Sequence, residues 1–231
     1  MKQRFYTLFL LVPLFLFGCK EDTPAPAIDT DHTYTYLALG DSYTIGESVA
    51  EADRWGVLLA GLLRESGVDV GNPYTIARTG WTTSELSSAI RKEGLKQQFD
   101  LVSLMIGVNN QYRKQSISTY RSEFRELLQT SISLAKGDPS NVIVLSIPNW
   151  AATPYGSNFN REQITEEIAA FNAVAADEAQ KADVTFVNIT SFSEKAAEDR
   201  SLVASDGLHY SGKMHLEWAK LAFPEAQNAL K

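Results

Sequence analysis

Five short apolar runs alternate with longer amphipathic stretches from Thr33 to the C-terminus, and this alternation restricts the fold more than any other feature of the chain. The runs are YTYLAL (34–39), YTIAR (74–78), LVSLMI (101–106), NVIVLSI (141–147) and VTFVNI (184–189). Each is short, in part β-branched or aromatic, and most are bounded by Gly, Pro, Asn or Asp, the pattern of a strand. Between them, residues 51–66, 83–93, 116–136, 161–181 and 212–229 carry apolar side chains at helical spacing. In 116–136, Tyr120, Phe124, Leu127, Leu128 and Ile132 share one face, and GDP (137–139) stops the helix. Ile164, Ile168, Phe171 and Val174 repeat the scheme in 161–181. Strands that alternate with helices predict a five-stranded parallel sheet covered on both faces. At 231 residues the chain suits one domain with a sizeable core. Neither an internal repeat nor a second domain is visible.

The N-terminus differs from everything that follows. Lys2 and Arg4 precede the apolar LFLLVPLFLF (8–17), and the small Gly18 stands before Cys19. Residues 1–18 read as a secretory signal, too short for a stable membrane-spanning helix. LFGC (16–19) is similar to the lipobox of bacterial lipoproteins, where the cysteine is lipidated and becomes the first residue. Cys19 is the only cysteine, so it has no internal disulfide partner, and lipidation gives an exported thiol a purpose. Residues 19–32, acidic and Pro-rich, read as a flexible tether to a domain at 33–231. KED (20–22) resembles a surface-export signal of some lipoproteins, and a solvated charge run explains it equally well. The expectation is an exported lipoprotein anchored through Cys19, in the outer membrane or facing the cell surface. Losing Lys2 and Arg4 with the signal moves the net charge from −7 to −9. Without a basic cluster beyond Lys2 and Arg4, a nucleic-acid partner is disfavoured and none is expected.

In a parallel sheet, ligands bind beyond the C-terminal ends of the strands. The first run ends on Gly40, Asp41 and Ser42, the second on Thr79, Gly80 and Trp81, the third on Gly107, Val108, Asn109 and Asn110. Alone, Ser42 reads as a turn former. As a nucleophile it would need a base, and the base a third group to orient it. The histidines are His32 in the tether, His215 inside the last helix pattern, and His209 in the loop ASDGLHYSG (204–212). Asp206 stands three residues before His209, so a tight turn lets its carboxylate accept a hydrogen bond from Nδ1–H and leaves Nε2 free to take a proton. Backbone N–H groups of Ser42 and Gly80, with the Asn109 amide, are candidate donors to a developing oxyanion. The turn-former reading of these Gly, Asp and Asn residues stays open on spacing alone.

GDSYT (40–44), ARTGWTT (77–83), GVNN (107–110) and DGLH (206–209) look like the four ordered blocks of the SGNH hydrolases, also called GDSL-like esterases and lipases. The resemblance spans roughly residues 34–216, nearly the whole domain. It implies a flavodoxin-like three-layer α/β/α sandwich and ester hydrolysis by a serine. By matching motif, Ser42 becomes the nucleophile, His209 the general base and then acid, and Asp206 the orienting acid. Ser42, Gly80 and Asn109 then form the oxyanion hole, while Asp41 shapes the nucleophile turn. Tyr43 replaces the usual leucine and Asn110 a frequent aspartate, departures that touch substrate preference rather than catalytic atoms. Thr44 replaces the second glycine of a GxSxG elbow, which disfavours an ordinary α/β-hydrolase.

SIPNWAATPYG (146–156) resembles a loop that borders the site in some family members. Trp81, Tyr112, Trp150 and Tyr155 are the candidate aromatic walls, for an acyl chain or for sugar faces; core or surface packing is the other reading of the same residues. The expected substrate is a small-molecule or polysaccharide ester carrying short acyl groups such as acetyl. Lysophospholipid or thioester hydrolysis is the alternative, and a non-catalytic carbohydrate-binding module is disfavoured because Ser, His and Asp are all present. No metal cluster, phosphate-cradling loop or dinucleotide fingerprint appears, so no cofactor is expected.

Overall fold

The computed structural model describes residues 28–231; the signal segment, Cys19 and the tether as far as residue 27 lie outside the described residues. The five strands are β1 (Tyr36–Gly40), β2 (Tyr74–Ala77), β3 (Leu101–Met105), β4 (Val142–Leu145) and β5 (Thr185–Val187). The helices are α1 (Ser42–Ile45), α2 (Trp55–Glu65), α3 (Thr83–Glu93), α4 (Val108–Tyr112), α5 (Ile117–Leu134), α6 (Arg161–Lys181), α7 (Thr190–Ser193) and α8 (Gly212–Ala229). All strand pairs are parallel in the order β2-β1-β3-β4-β5. That order is the flavodoxin-like one, whose switch point between β1 and β3 opens a crevice at the C-terminal rim. Gly40 pairs with both Ala77 and Met105, which brings the ends of three strands to the same level.

β1, β3 and β4 are buried at every position, whereas β2 and β5 at the edges are only partly so. Continuous burial explains the apolar runs: a strand covered on both faces has no solvent side on which to place polar residues. α2 packs on α8, and α5 packs on both α3 and α6. At the α2 contact, Gly56 sits close to Ala38 and the Tyr36 hydroxyl, and any larger residue would crowd Pro73. The α5–α6 contact is tied by buried Glu178, which accepts from Arg125 and Arg121 and is held down to about 2, chiefly by Arg125.

Several boundaries differ from the periodicity. The expected helix at 51–66 divides into a 3₁₀ turn at Glu51–Asp53 and α2, because Arg54 adopts extended backbone between them. α1 and α4 are additional, each a single turn immediately after a strand. The last tether residues are docked: His32 bonds Asp69 at 2.6 Å, and the Asn72 N–H donates to Asp29.

Candidate active site

The end of β1 is shaped by what cannot fit there. A Cβ on Gly40 would lie 2.1 Å from Thr44 Oγ1 and 2.6 Å from the Met105 carbonyl oxygen, so only glycine lets the chain turn so close to β3. Asp41 caps the turn. Its Oδ1 accepts from the Tyr43 N–H at 3.0 Å, and its carbonyl accepts from the Thr44 and Ile45 N–H groups. The side chain is fully buried and Oδ2 has no partner, so desolvation pushes the carboxyl up to about 7 against the pull of the Tyr43 bond. Ser42, 5% exposed, therefore opens a one-turn helix that Gly46 closes in left-handed backbone. The Ser42 N–H makes no hydrogen bond to a described residue.

The loop between Ala204 and Ser211 is built around Asp206. Its Oδ1 accepts from the Leu208 and His209 N–H groups, both at 2.9 Å. Its Oδ2 accepts from His209 Nδ1 and from the Ser48 hydroxyl, both at 2.7 Å. Partial burial alone would raise this carboxyl, but the Leu208 amide, the His209 ring and the Ser48 hydroxyl outweigh it and hold it well below the ordinary carboxylate range. An ionised Asp206 makes Nδ1 the protonated nitrogen of His209 and leaves Nε2 as the basic one. Tyr43 fixes the ring from the side, edge-on at 5.6 Å between centroids, and is itself packed on Tyr210 and Trp218. Tyr155 N–H donates to the Gly207 carbonyl, which ties the loop to the segment after β4.

Ser42 and His209 line one cavity of about 180 Å³, together with Tyr43, Val108, Asn109, Tyr112, Trp150, Tyr155 and Leu208. The sequence-predicted Tyr112, Trp150 and Tyr155 thus meet the serine and histidine. Trp150 is anchored by its indole N–H, which donates to Gln111 Oε1 at 2.9 Å, and Gln111 in turn donates to Glu167 on α6 at 2.6 Å. The hydroxyls of Tyr112 and Tyr155 are bonded at 3.0 Å.

Trp81 does not join this wall. It borders a separate hollow with Tyr74, Ile76 and Ala89, and only its backbone carbonyl contacts a residue of the Ser42 cavity, Asn109. The Trp81 carbonyl accepts from Asn109 Nδ2 at 2.9 Å, a bond that orients the amide and leaves its second hydrogen available. Gly80 holds left-handed backbone, φ +85°, and its N–H has no described partner. Its carbonyl is held by Arg113, which also contacts Glu85. Asn110 is fully buried and uses both ends of its amide: Oδ1 accepts from the Thr83 N–H at 3.1 Å, while Nδ2 donates to Thr83 Oγ1 and Gln115. An aspartate could not make those donations.

His215 is buried in the core. It stacks on Trp218 at 4.9 Å and accepts the Trp55 N–H at the start of α2; burial pushes it down to about 3, so it is a neutral cap for that helix. Sequence reasoning missed Ser48, whose loop gives no local signal of a partner 158 residues away, and the bracing of His209 by Tyr43.

A hydroxyl, an imidazole with its basic nitrogen free, and unengaged N–H donors at neighbouring strand ends are what acyl transfer requires. Solved structures with the same fold include TesA (17% identity, TM-score 0.67, 84% of this chain and 99% of that one). They also include a lipase/acylhydrolase from Enterococcus faecalis (22%, 0.65, 85% and 96%) and Axe2, an acetylxylan esterase from Geobacillus stearothermophilus (20%, 0.63, 83% and 93%). At these identities they establish the fold. No curated protein matches the chain significantly by sequence. The model of the GDSL-like Lipase/Acylhydrolase family matches residues 38–216, from β1 into α8 and through all four motif blocks, so the chain belongs to that family and is an ester-bond hydrolase.

Proposed function

We propose that the chain is a serine esterase that removes short acyl groups, such as acetyl, from carbohydrate. The observation that carries this reading is the pairing of His209 Nδ1 with an ionised Asp206 while the imidazole and Ser42 border one small cavity. Ser42 Oγ attacks the ester carbonyl carbon as His209 Nε2 takes its proton, and the carbonyl electrons move to oxygen. The Ser42 and Gly80 N–H groups and the Asn109 amide receive that oxyanion. Collapse expels the alcohol, which His209 protonates; water then repeats the sequence on the acyl-serine and releases the carboxylic acid.

Cavity size supports a short acyl group. About 180 Å³ is below the roughly 300 Å³ at which pockets for drug-sized ligands begin. Two residues of the cavity's lining, Tyr112 and Tyr155, are held together by their hydroxyls. Ser42→Ala is expected to abolish hydrolysis of p-nitrophenyl acetate with an unchanged thermal melt, and retained turnover overturns the mechanism. Across a chain-length series, kcat/KM is expected to fall beyond short acyl groups; a rise with length favours the lysophospholipid or thioester reading.

Export and membrane anchoring through Cys19 are part of the same proposal, supported by the order of signal, LFGC and acidic tether. Radiolabelled palmitate is expected to enter the wild-type protein and not Cys19→Ala. Equal labelling of both sinks the anchor.

A further inference from the structure

Tyr112 and Trp150 have a second side. Across them lies another cavity, of about 320 Å³, bordered also by Lys114, Phe159, Asn160 and Gln163. Building on the esterase reading, we propose that this cavity binds a sugar ring of the substrate's alcohol part, so that the Tyr112–Trp150 wall separates an acyl site from a glycan site.

A rigid, exposed aromatic surface and a polar fringe together point to a sugar rather than to a continuation of the acyl chain. Tyr112 and Phe159 are 48% and 43% exposed, two of only four large apolar side chains so exposed among the described residues, and both border this one cavity. Both meet Trp150 edge-on, at 5.5 and 5.2 Å between centroids, so they form a continuous aromatic surface. That surface is stiff. Gln111 and Glu167 hold Trp150, Gln163 Nε2 donates to Glu167 at 2.8 Å, and Asn160 Oδ1 caps α6 by accepting from the Gln163 N–H.

The fringe of the cavity is polar and keeps unused capacity. Lys114 Nζ, Asn160 Nδ2 and Gln163 Oε1 have no hydrogen-bond partner among the described residues, which leaves two donors and an acceptor around an aromatic floor. A pyranose matches both parts, with C–H groups for the rings and hydroxyls that donate and accept for the fringe. An alkyl chain would engage none of the three polar ends, which are exposed and stay solvated beside it. An anionic headgroup would find Lys114, but the carboxylate of Glu167 stands in the same lining and offsets it.

The test compares kcat/KM for an acetylated xylo-oligosaccharide with that for p-nitrophenyl acetate in three variants. Phe159→Ala removes the platform, Lys114→Met the ammonium, and Asn160→Asp the free donor while keeping the helix cap. The glycan-to-nitrophenyl ratio is expected to fall about ten-fold in Phe159→Ala and several-fold in the other two. In Ser42→Ala, the oligosaccharide is expected to change Trp fluorescence, and the added Phe159→Ala to weaken that binding. An unchanged ratio in all three variants overturns the glycan site. A loss confined to long-chain acyl esters or to a lysophospholipid overturns it in favour of a lipid groove. The esterase reading fails separately, through retained turnover in Ser42→Ala.

Discussion

Two aspartates stand at the two ends of the proposed catalytic apparatus, and they are handled in opposite ways. Asp41 lies at the β1 end beside Ser42, fully buried, with one amide bond and an oxygen that nothing satisfies. Asp206, three residues before His209, is partly exposed and receives four hydrogen bonds. Burial drives the first toward its neutral form, and donors drive the second toward its charged form. The same side chain is drawn toward neutrality in one place and held as a fixed negative charge in the other. What decides is the count of donors against the depth of burial, not distance from the serine.

Substitution with asparagine separates the two roles. In Asp206→Asn the amide oxygen can keep the Leu208 and His209 backbone bonds, but its NH₂ then faces His209 Nδ1 and forces the proton onto Nε2. Ester hydrolysis is expected to fall about 10³- to 10⁴-fold with the fold intact. A loss under ten-fold would remove Asp206 from the mechanism.

The stability of the two variants should respond to pH in opposite directions. A folded Asp41 value of about 7, above the ordinary 3.8, means that its contribution is full below about pH 3.8 and is lost as pH rises through 7. Asp41→Asn lacks that loss, so its melting temperature should gain on wild type between pH 4 and 8. Asp206, held below the ordinary range, contributes above about pH 3.8 and loses that contribution in stronger acid. The deficit of Asp206→Asn should therefore shrink as pH falls below 4. Parallel pH profiles for the two variants would erase the contrast.

The smallest effect is reserved for Ser48, one donor among four. Ser48→Ala is expected to lower kcat by a few-fold while KM stays near wild type, because Asp206 keeps His209 and both amides. An effect as large as that of Asp206→Asn would show the hydroxyl to be essential.

The fold was legible where local chemistry marks it. α3 spans its expected 83–93 because Thr82 and Glu85 form a capping box and Gly94 takes left-handed backbone at the other end. α6 likewise starts at its Asn160 cap. α1 and α4 escaped because a single turn has no period to read. Asp206 and His209 were legible for the same reason as α3, their relation being contained in one turn. Trp81 was misplaced because standing at the right rim does not set the direction of a side chain. Ser48 lay beyond reach, since nothing near it in sequence names its partner.

That last bond has a consequence for how the molecule comes into being. Ser48 reaches Asp206 across 158 residues, and the Trp55 N–H reaches His215 across 160, so the chain's first third and its final segment must meet before His209 is seated. Such closures are entropically slow. Activity is therefore a property of the finished chain alone: a nascent or C-terminally clipped molecule can carry all five strands and the serine, yet remain inert until the last loop docks.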